Sequence, residues 1–184
     1  MRIISGILGG RKIHPPAHMP YTRPTTDIAK EGLFNILQNN LDFTELKTLD
    51  LFGGTGNISY ELASRGVEDL TIVERDVKMH AFIKKTAEDL KLENFKVVKS
   101  DVFRFIQDTT EKYDFIFAGP PYALQNIDDL PRAIFEKGLL NEDGWFVLEH
   151  TPRNNYEGFP FFRDARNYGT TIFSVFVNQF ATTE

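Results

Sequence analysis

The stretch TLDLFGGTGNISYELASRG, Thr48 to Gly66, decides the fold. TLDLF is short and mostly apolar around one acid, as a buried strand is. GGTG, Gly53 to Gly56, is a tight turn, and NISYELASRG is a helix that Gly66 stops. A strand turning through glycines into a helix opens a βαβ unit. The rhythm continues. DLTIVE is a strand and VKMHAFIKKTAEDLKL a helix. FKVVKS is a strand and VFRFIQ a short helix. YDFIFA is a strand, DDLPRAIFEKG a helix closed by Gly138, and GWFVLEH a strand. RDARNYG and TTIFSVFVNQ follow with no helix between them, so they read as an antiparallel hairpin. The predicted fold is α/β: a mostly parallel sheet of seven strands, covered on both faces, with an antiparallel C-terminal hairpin.

Upstream, RIISGILGGRKIHPP reads as a β-hairpin ended by Pro15 and Pro16, followed by a proline-rich irregular stretch to Arg23. RPTTDIAKEGLFNILQNN reads as a helix. Thr25 or Thr26 supplies the cap, Asp27 suits the first turn, and Ala29, Leu33, Ile36 and Leu37 face the body. The expected division is an N-terminal arm over residues 1–24 and one α/β domain over 25–184.

The chain has 184 residues, 41% hydrophobic and 26% charged, which is an ordinary globular balance. It has no cysteine, which rules out disulfides and thiolate metal sites. No apolar run approaches a membrane span, and MRIISGILGG is too short and glycine-broken for a secretory signal, so the expectation is cytoplasmic. Net charge is −5, but Arg2, Arg11, Lys12, Arg23 and Lys30 face only Asp27 within residues 1–30. A basic arm on an acidic body is a local footprint for a polyanion, or else a solvated surface hairpin.

In open parallel sheets, ligands bind beyond the carboxyl ends of the strands. Four such ends carry special residues: Asp50 before the glycine turn, Glu74, Ser100-Asp101, and Gly119-Pro120-Pro121-Tyr122. The glycines let a ligand approach the backbone. Glu74 follows Asp50 at a spacing that suits an acid gripping ribose hydroxyls. A dinucleotide fingerprint would need a third glycine where Ser59 stands, and Asp50 would repel a pyrophosphate. An acid there suits a cationic ligand. S-adenosylmethionine, a nucleoside with an amino acid and a sulfonium, fits these acids better than a nicotinamide cofactor. Asp101 would accept from the adenine amine and the Val102 N–H would donate to the ring, although Asp101 also reads as a plain helix cap.

ISG…GRKI…RPTTDIAKEGLFNIL, LDLFGGTGNISYELASRG, TIVERD and PPY together resemble the RsmD family, bacterial methyltransferases acting on the exocyclic N2 amine of a guanine in small-subunit (16S) ribosomal RNA. The resemblance runs from the first residues to Tyr168-Gly169. It implies a Rossmann-like class I methyltransferase fold, S-adenosylmethionine as cofactor and a monomer. The RNA partner would be naked or within the assembled subunit, with no metal and no membrane. Carried over, Asp50, Phe52, Gly53, Gly54 and Gly56 line the methionine end of the cofactor. Glu74 and Arg75 stand at the ribose, and Asp101 and Val102 at the adenine. Arg2, Arg11, Lys12, Arg23 and Thr25 touch RNA.

One departure matters. Such amino-methyltransferases carry Asp or Asn before Pro-Pro-Tyr, and this chain has Gly119. The usual side chain accepts a hydrogen bond from the target amine, whose lone pair is delocalised into the ring, so that positioning rather than a strong base drives the reaction. The resemblance leaves the catalytic set as Gly119, Pro120, Pro121 and Tyr122, with the Pro120 carbonyl as acceptor and Tyr122 stacking on an extruded base. The alternative reading is a cofactor- and RNA-binding protein in which Gly119 has weakened or ended catalysis. His14, His18, His80 and His150 share no metal-ligand spacing.

Overall fold

The computed structural model describes residues 1–19 and 24–180. It contains β1 (Lys47–Leu51), β2 (Asp69–Glu74), β3 (Phe95–Lys99), β4 (Tyr113–Ala118), β5 (Leu140–His150), β6 (Phe162–Tyr168) and β7 (Thr171–Val177). The helices are α1 (Asp27–Asn40), α2 (Asn57–Ser64), α3 (Val77–Asp89), α4 (Val102–Asp108) and α5 (Asp129–Lys137). The strands form one sheet in the order β3-β2-β1-β4-β5-β7-β6. β1 pairs in parallel with β2 and β4, β2 with β3, and β4 with β5, whereas β7 runs antiparallel to β5 and β6. This is the Rossmann-like architecture expected from the sequence, a mostly parallel seven-stranded sheet with an antiparallel C-terminal hairpin. The chain order reverses between β1 and β4, so a crevice opens there at the carboxyl ends.

Two apolar clusters sandwich the sheet. Leu33, Phe34, Leu37, Ile58 and Leu62 cover one face together with Ile72 and Phe117. Val102, Ile106, Leu130 and Ile134 cover the other with Leu49 and Leu51. Alternation along β1 turns Leu49 and Leu51 to the second cluster, and Asp50 to the face of its register partners Ile72 and Phe117. The sequence pattern thus buries one carboxylate at the sheet's crevice.

Helix α1 is capped as read, with the Thr26 side chain accepting from the Ala29 N–H. Phe34 takes the buried place expected of Ile36, which is only half-buried. A short 3₁₀ turn at Phe43–Glu45, without a periodic signal, links α1 to β1. β5 begins earlier than GWFVLEH implies. Asn141-Glu142-Asp143, outside the elements read from the sequence, is an irregularity within the strand: Asp143 has φ 63° and its N–H donates to the Asn178 carbonyl at 3.0 Å.

The N-terminal hairpin is reduced to one antiparallel bridge, Arg2 with Lys12. What holds this segment is α2. The Glu61 carboxylate accepts from the N–H groups of Ile4 at 2.8 Å and Ser5 at 3.1 Å. The Ile7 N–H donates to the Ser64 carbonyl at 2.9 Å. Gly6 is required there, since at φ 83° an added Cβ would lie 2.0 Å from that carbonyl oxygen. Ile3 and Ile13 are buried in the α1–α2 cluster. Lys30, counted with the basic arm in sequence, is instead buried. Its ammonium meets Glu61 at 2.9 Å, the Arg2 carbonyl at 2.8 Å and Asn57 Oδ1 at 2.8 Å. Burial would push the Glu61 carboxyl up, but the Ile4 N–H, Arg65 and Lys30 hold it below the usual carboxylate range.

Candidate functional site

A cleft of about 480 Å³ opens at the carboxyl ends of β1, β2, β3, β4 and β5. Its wall gathers Asp50, Phe52, Gly53, Gly54, Glu74, Arg75, Asp101, Val102 and the whole Gly119–Tyr122 turn. Residues from four separate strand ends therefore share one cavity. Gly56 does not line it. This glycine stands against the Tyr60 ring, 2.4 Å from where its Cβ would be. Gly53 lines the cleft by its backbone, but its missing side chain makes room for Ile72 Cγ2, 2.4 Å from an added Cβ, and not for a ligand. Two of the three glycines are thus dictated by protein neighbours. Phe52, between Leu51 and Gly53, is held at φ 63°, a backbone strain of the kind that gathers at binding sites.

Asp50 is the most unusual group. It is 2% exposed, and Oδ2 accepts from Ser59 Oγ at 2.6 Å. Oδ1 is buried without a partner among the described residues. Burial pushes its carboxyl up to about 8, and the charges of Glu74 and Glu149 push the same way against the Ser59 bond. Ser59, where a dinucleotide fingerprint needs glycine, thus serves to hold the acid. An orphaned, desolvated carboxylate lining a cleft fits a cationic donor such as the ammonium of S-adenosylmethionine. Glu74 is half-buried. Burial and the Asp76 charge push it up to about 7, although the N–H groups of Gly54 and Arg75 bond to it. Beyond Glu74 the wall turns apolar, with Val77, Met79, Val102 and Phe103, while Asp101 stands at the rim. Asp101 caps α4 by accepting from the Arg104 N–H at 3.1 Å, so one carboxylate has both the bland role and a place at the cleft.

On the opposite wall, Pro120 is buried and Tyr122 is 43% exposed. The Pro121 carbonyl is taken by the Leu124 N–H at 3.0 Å, which closes the turn. The arm adjoins this cleft. Thr55 Oγ1 donates to Met1 Sδ at 3.3 Å, and Arg2 pairs with Asp27 at 3.1 Å in the first turn of α1. Arg11 and Lys12 are exposed; Arg23 lies outside the described residues. Thr25, assigned to RNA by resemblance, lines the cleft and donates to both carboxylate oxygens of Glu149 at 3.0 Å.

Glu149 is the site residue that the sequence reading passed over. The signal was present: GWFVLEH, like three of the four strands considered, has an acid at or just beyond its carboxyl end. His150, beside it, is structural. It is 2% exposed, its ring nitrogens meet Ser174 Oγ at 2.6 Å and the Thr151 carbonyl at 2.8 Å, and it packs edge-on against Tyr156. No group of three or more potential metal ligands occurs among the described residues.

Comparison with known proteins places this architecture. The family described as "Conserved hypothetical protein 95" matches residues 1–177. The candidate rRNA methyltransferase YlbH of Bacillus subtilis is 36% identical over 154 residues, which cover 82% of each chain. Ribosomal RNA small subunit methyltransferase D of Escherichia coli is 29% identical over 160 residues, covering 87% of this chain and 79% of the relative. Among solved structures, the candidate methyltransferase yhhF of Escherichia coli superposes with a TM-score of 0.86 at 25% identity, over 97% of this chain and 98% of that one.

Proposed function

The chain belongs to the RsmD family of methyltransferases, and from that premise we propose that it transfers a methyl group from S-adenosylmethionine to the exocyclic N2 amine of a guanine in small-subunit ribosomal RNA. The observation that carries the reading is the single cleft joining Asp50, Glu74 and Asp101 on one wall to Pro120-Pro121-Tyr122 on the other. The cofactor supplies an electrophilic methyl on a sulfonium. Asp50 receives the amino-acid ammonium on its orphaned oxygen, and Glu74 accepts from the ribose hydroxyls. Val77, Met79, Val102 and Phe103 enclose the adenine, and Asp101 accepts from its amine. Tyr122 offers an exposed ring for a flipped guanine to stack on, worth roughly 1–3 kcal/mol. Arg2, Arg11 and Lys12 supply the positive charge for RNA phosphates beside the cleft, on a protein that is otherwise acidic.

The test is methyl transfer to small subunits lacking the modification, with the product nucleoside identified by mass spectrometry. N2-methylguanosine at one position supports the proposal. Cofactor binding with no methylated nucleoside would favour the binding-protein alternative.

A further inference from the structure

We propose that Glu149 is the catalytic acceptor of the target amine, occupying the space left by the side chain that Gly119 lacks; the assignment rests on the methyl-transfer reading above. β4 and β5 are parallel neighbours with Ala118 opposite Leu148, so Gly119, just past the end of β4, stands beside Glu149, the penultimate residue of β5, and both line the cleft. A Cβ added at Gly119 would lie 3.0 Å from Glu149 Oε2 and 3.1 Å from the Phe117 ring. The carboxylate therefore stands in the shell that an Asp or Asn side chain at position 119 would fill. Where position 119 offers no side chain, the neighbouring strand supplies a carboxylate.

The placement is held. Thr25 Oγ1 donates to both oxygens at 3.0 Å, orienting the group from the N-terminal side of α1. A carboxylate can accept several hydrogen bonds at once, so the Thr25 bond does not preclude one from an amine. The group is half-buried, at the border between the cleft and the sheet interior. Pro120 follows directly, so Glu149 and the Pro120 carbonyl would provide two acceptors for the two hydrogens of an exocyclic amine. Held that way, the nitrogen lone pair points away from both acceptors and toward the methyl group. The chemistry balances: the nitrogen–carbon bond forms as the carbon–sulfur bond breaks. The bonding pair returns to sulfur, and the extra amine proton passes to the Glu149 carboxylate and on to water. The same geometry explains the glycine. With Glu149 in place, a Cβ at 119 would require the carboxylate to give by a few tenths of an ångström, and an acid there would also set two like charges against each other.

The test is a swap, read by single-turnover methyl transfer to unmethylated small subunits and by calorimetric binding of S-adenosylhomocysteine. Glu149→Ala is expected to lose about 10²–10³ in rate, the cost of removing one positioned hydrogen-bonding group, with cofactor affinity within about threefold of wild type. Glu149→Gln retains an acceptor and is expected to fall between the two. Gly119→Asp alone is expected to slow the reaction through crowding. In the Glu149→Ala background, the same substitution is expected to recover at least about tenfold. Cofactor binding also serves as the check that each variant is folded. A wild type that methylates, with Glu149→Ala equally fast or with no recovery in the double variant, overturns the assignment alone. A wild type that binds cofactor yet leaves the guanine amine unmethylated overturns the proposed function as well.

Discussion

Cofactor binding should depend steeply on pH, because the acid that receives the cation starts out protonated. Asp50 is buried, one of its oxygens has no partner among the described residues, and its carboxyl is pushed up to about 8. At pH 6 only about one molecule in a hundred then carries the carboxylate. The ligand ammonium, charged below about pH 7.5, interacts favourably with the ionised form alone. Between pH 5.5 and 7.5 the Kd for S-adenosylhomocysteine should therefore fall by about tenfold per pH unit, with close to one proton released on binding at pH 6.5. Calorimetry in two buffers of different ionisation enthalpy reads both quantities. Asp50→Asn should bind more weakly at pH 7.5 and lose most of the slope. The ligand-free protein should show the opposite trend in stability. Folded Asp50 keeps a proton that the unfolded chain gives up near pH 4, so folding binds protons across that interval and the melting temperature should fall as pH rises from 5 to 8. Glu74, raised to about 7, adds in the same direction. A Kd flat from pH 5.5 to 7.5, with no proton release, would refute the placement of the ammonium at Asp50.

Three further outcomes are expected. Tyr122→Ala should raise the KM for the RNA substrate by an amount corresponding to about 1–3 kcal/mol of lost stacking while leaving cofactor Kd unchanged, as steady-state kinetics and calorimetry would show. Arg11→Ala combined with Lys12→Ala should lower the slope of log affinity against log salt by about 1.5, read by filter binding across a salt series. Glu61→Ala, which strands the buried Lys30 ammonium and releases the N–H groups of Ile4 and Ser5, should cost about 3–5 kcal/mol in urea unfolding, and hydrogen exchange should show residues 1–13 losing protection first.

How much of this was legible in the sequence depends on the range of the cause. Strands buried on both faces announce themselves as short apolar runs, which is why β2 and β4 coincide with DLTIVE and YDFIFA to the residue. Local caps were equally readable, as at Thr26 and Gly138. Register was not. Gly53 read as an opening for a ligand, yet Ile72, nineteen positions later, fills the space beside it. Lys30 counted as positive surface, yet Glu61 buries it. Gly119 read as a missing contact, because residues before Pro-Pro-Tyr are compared position by position, whereas chemistry needs only an acceptor at a point in space. Parallel pairing of β4 with β5 brings Glu149, thirty positions later, to within reach of that point. If two neighbouring strand ends can each host the acceptor, then glycine at one is tolerated only while the other keeps its acid. The pair Gly119–Glu149, and not either residue alone, is then the unit whose substitution should be read as gain or loss of activity.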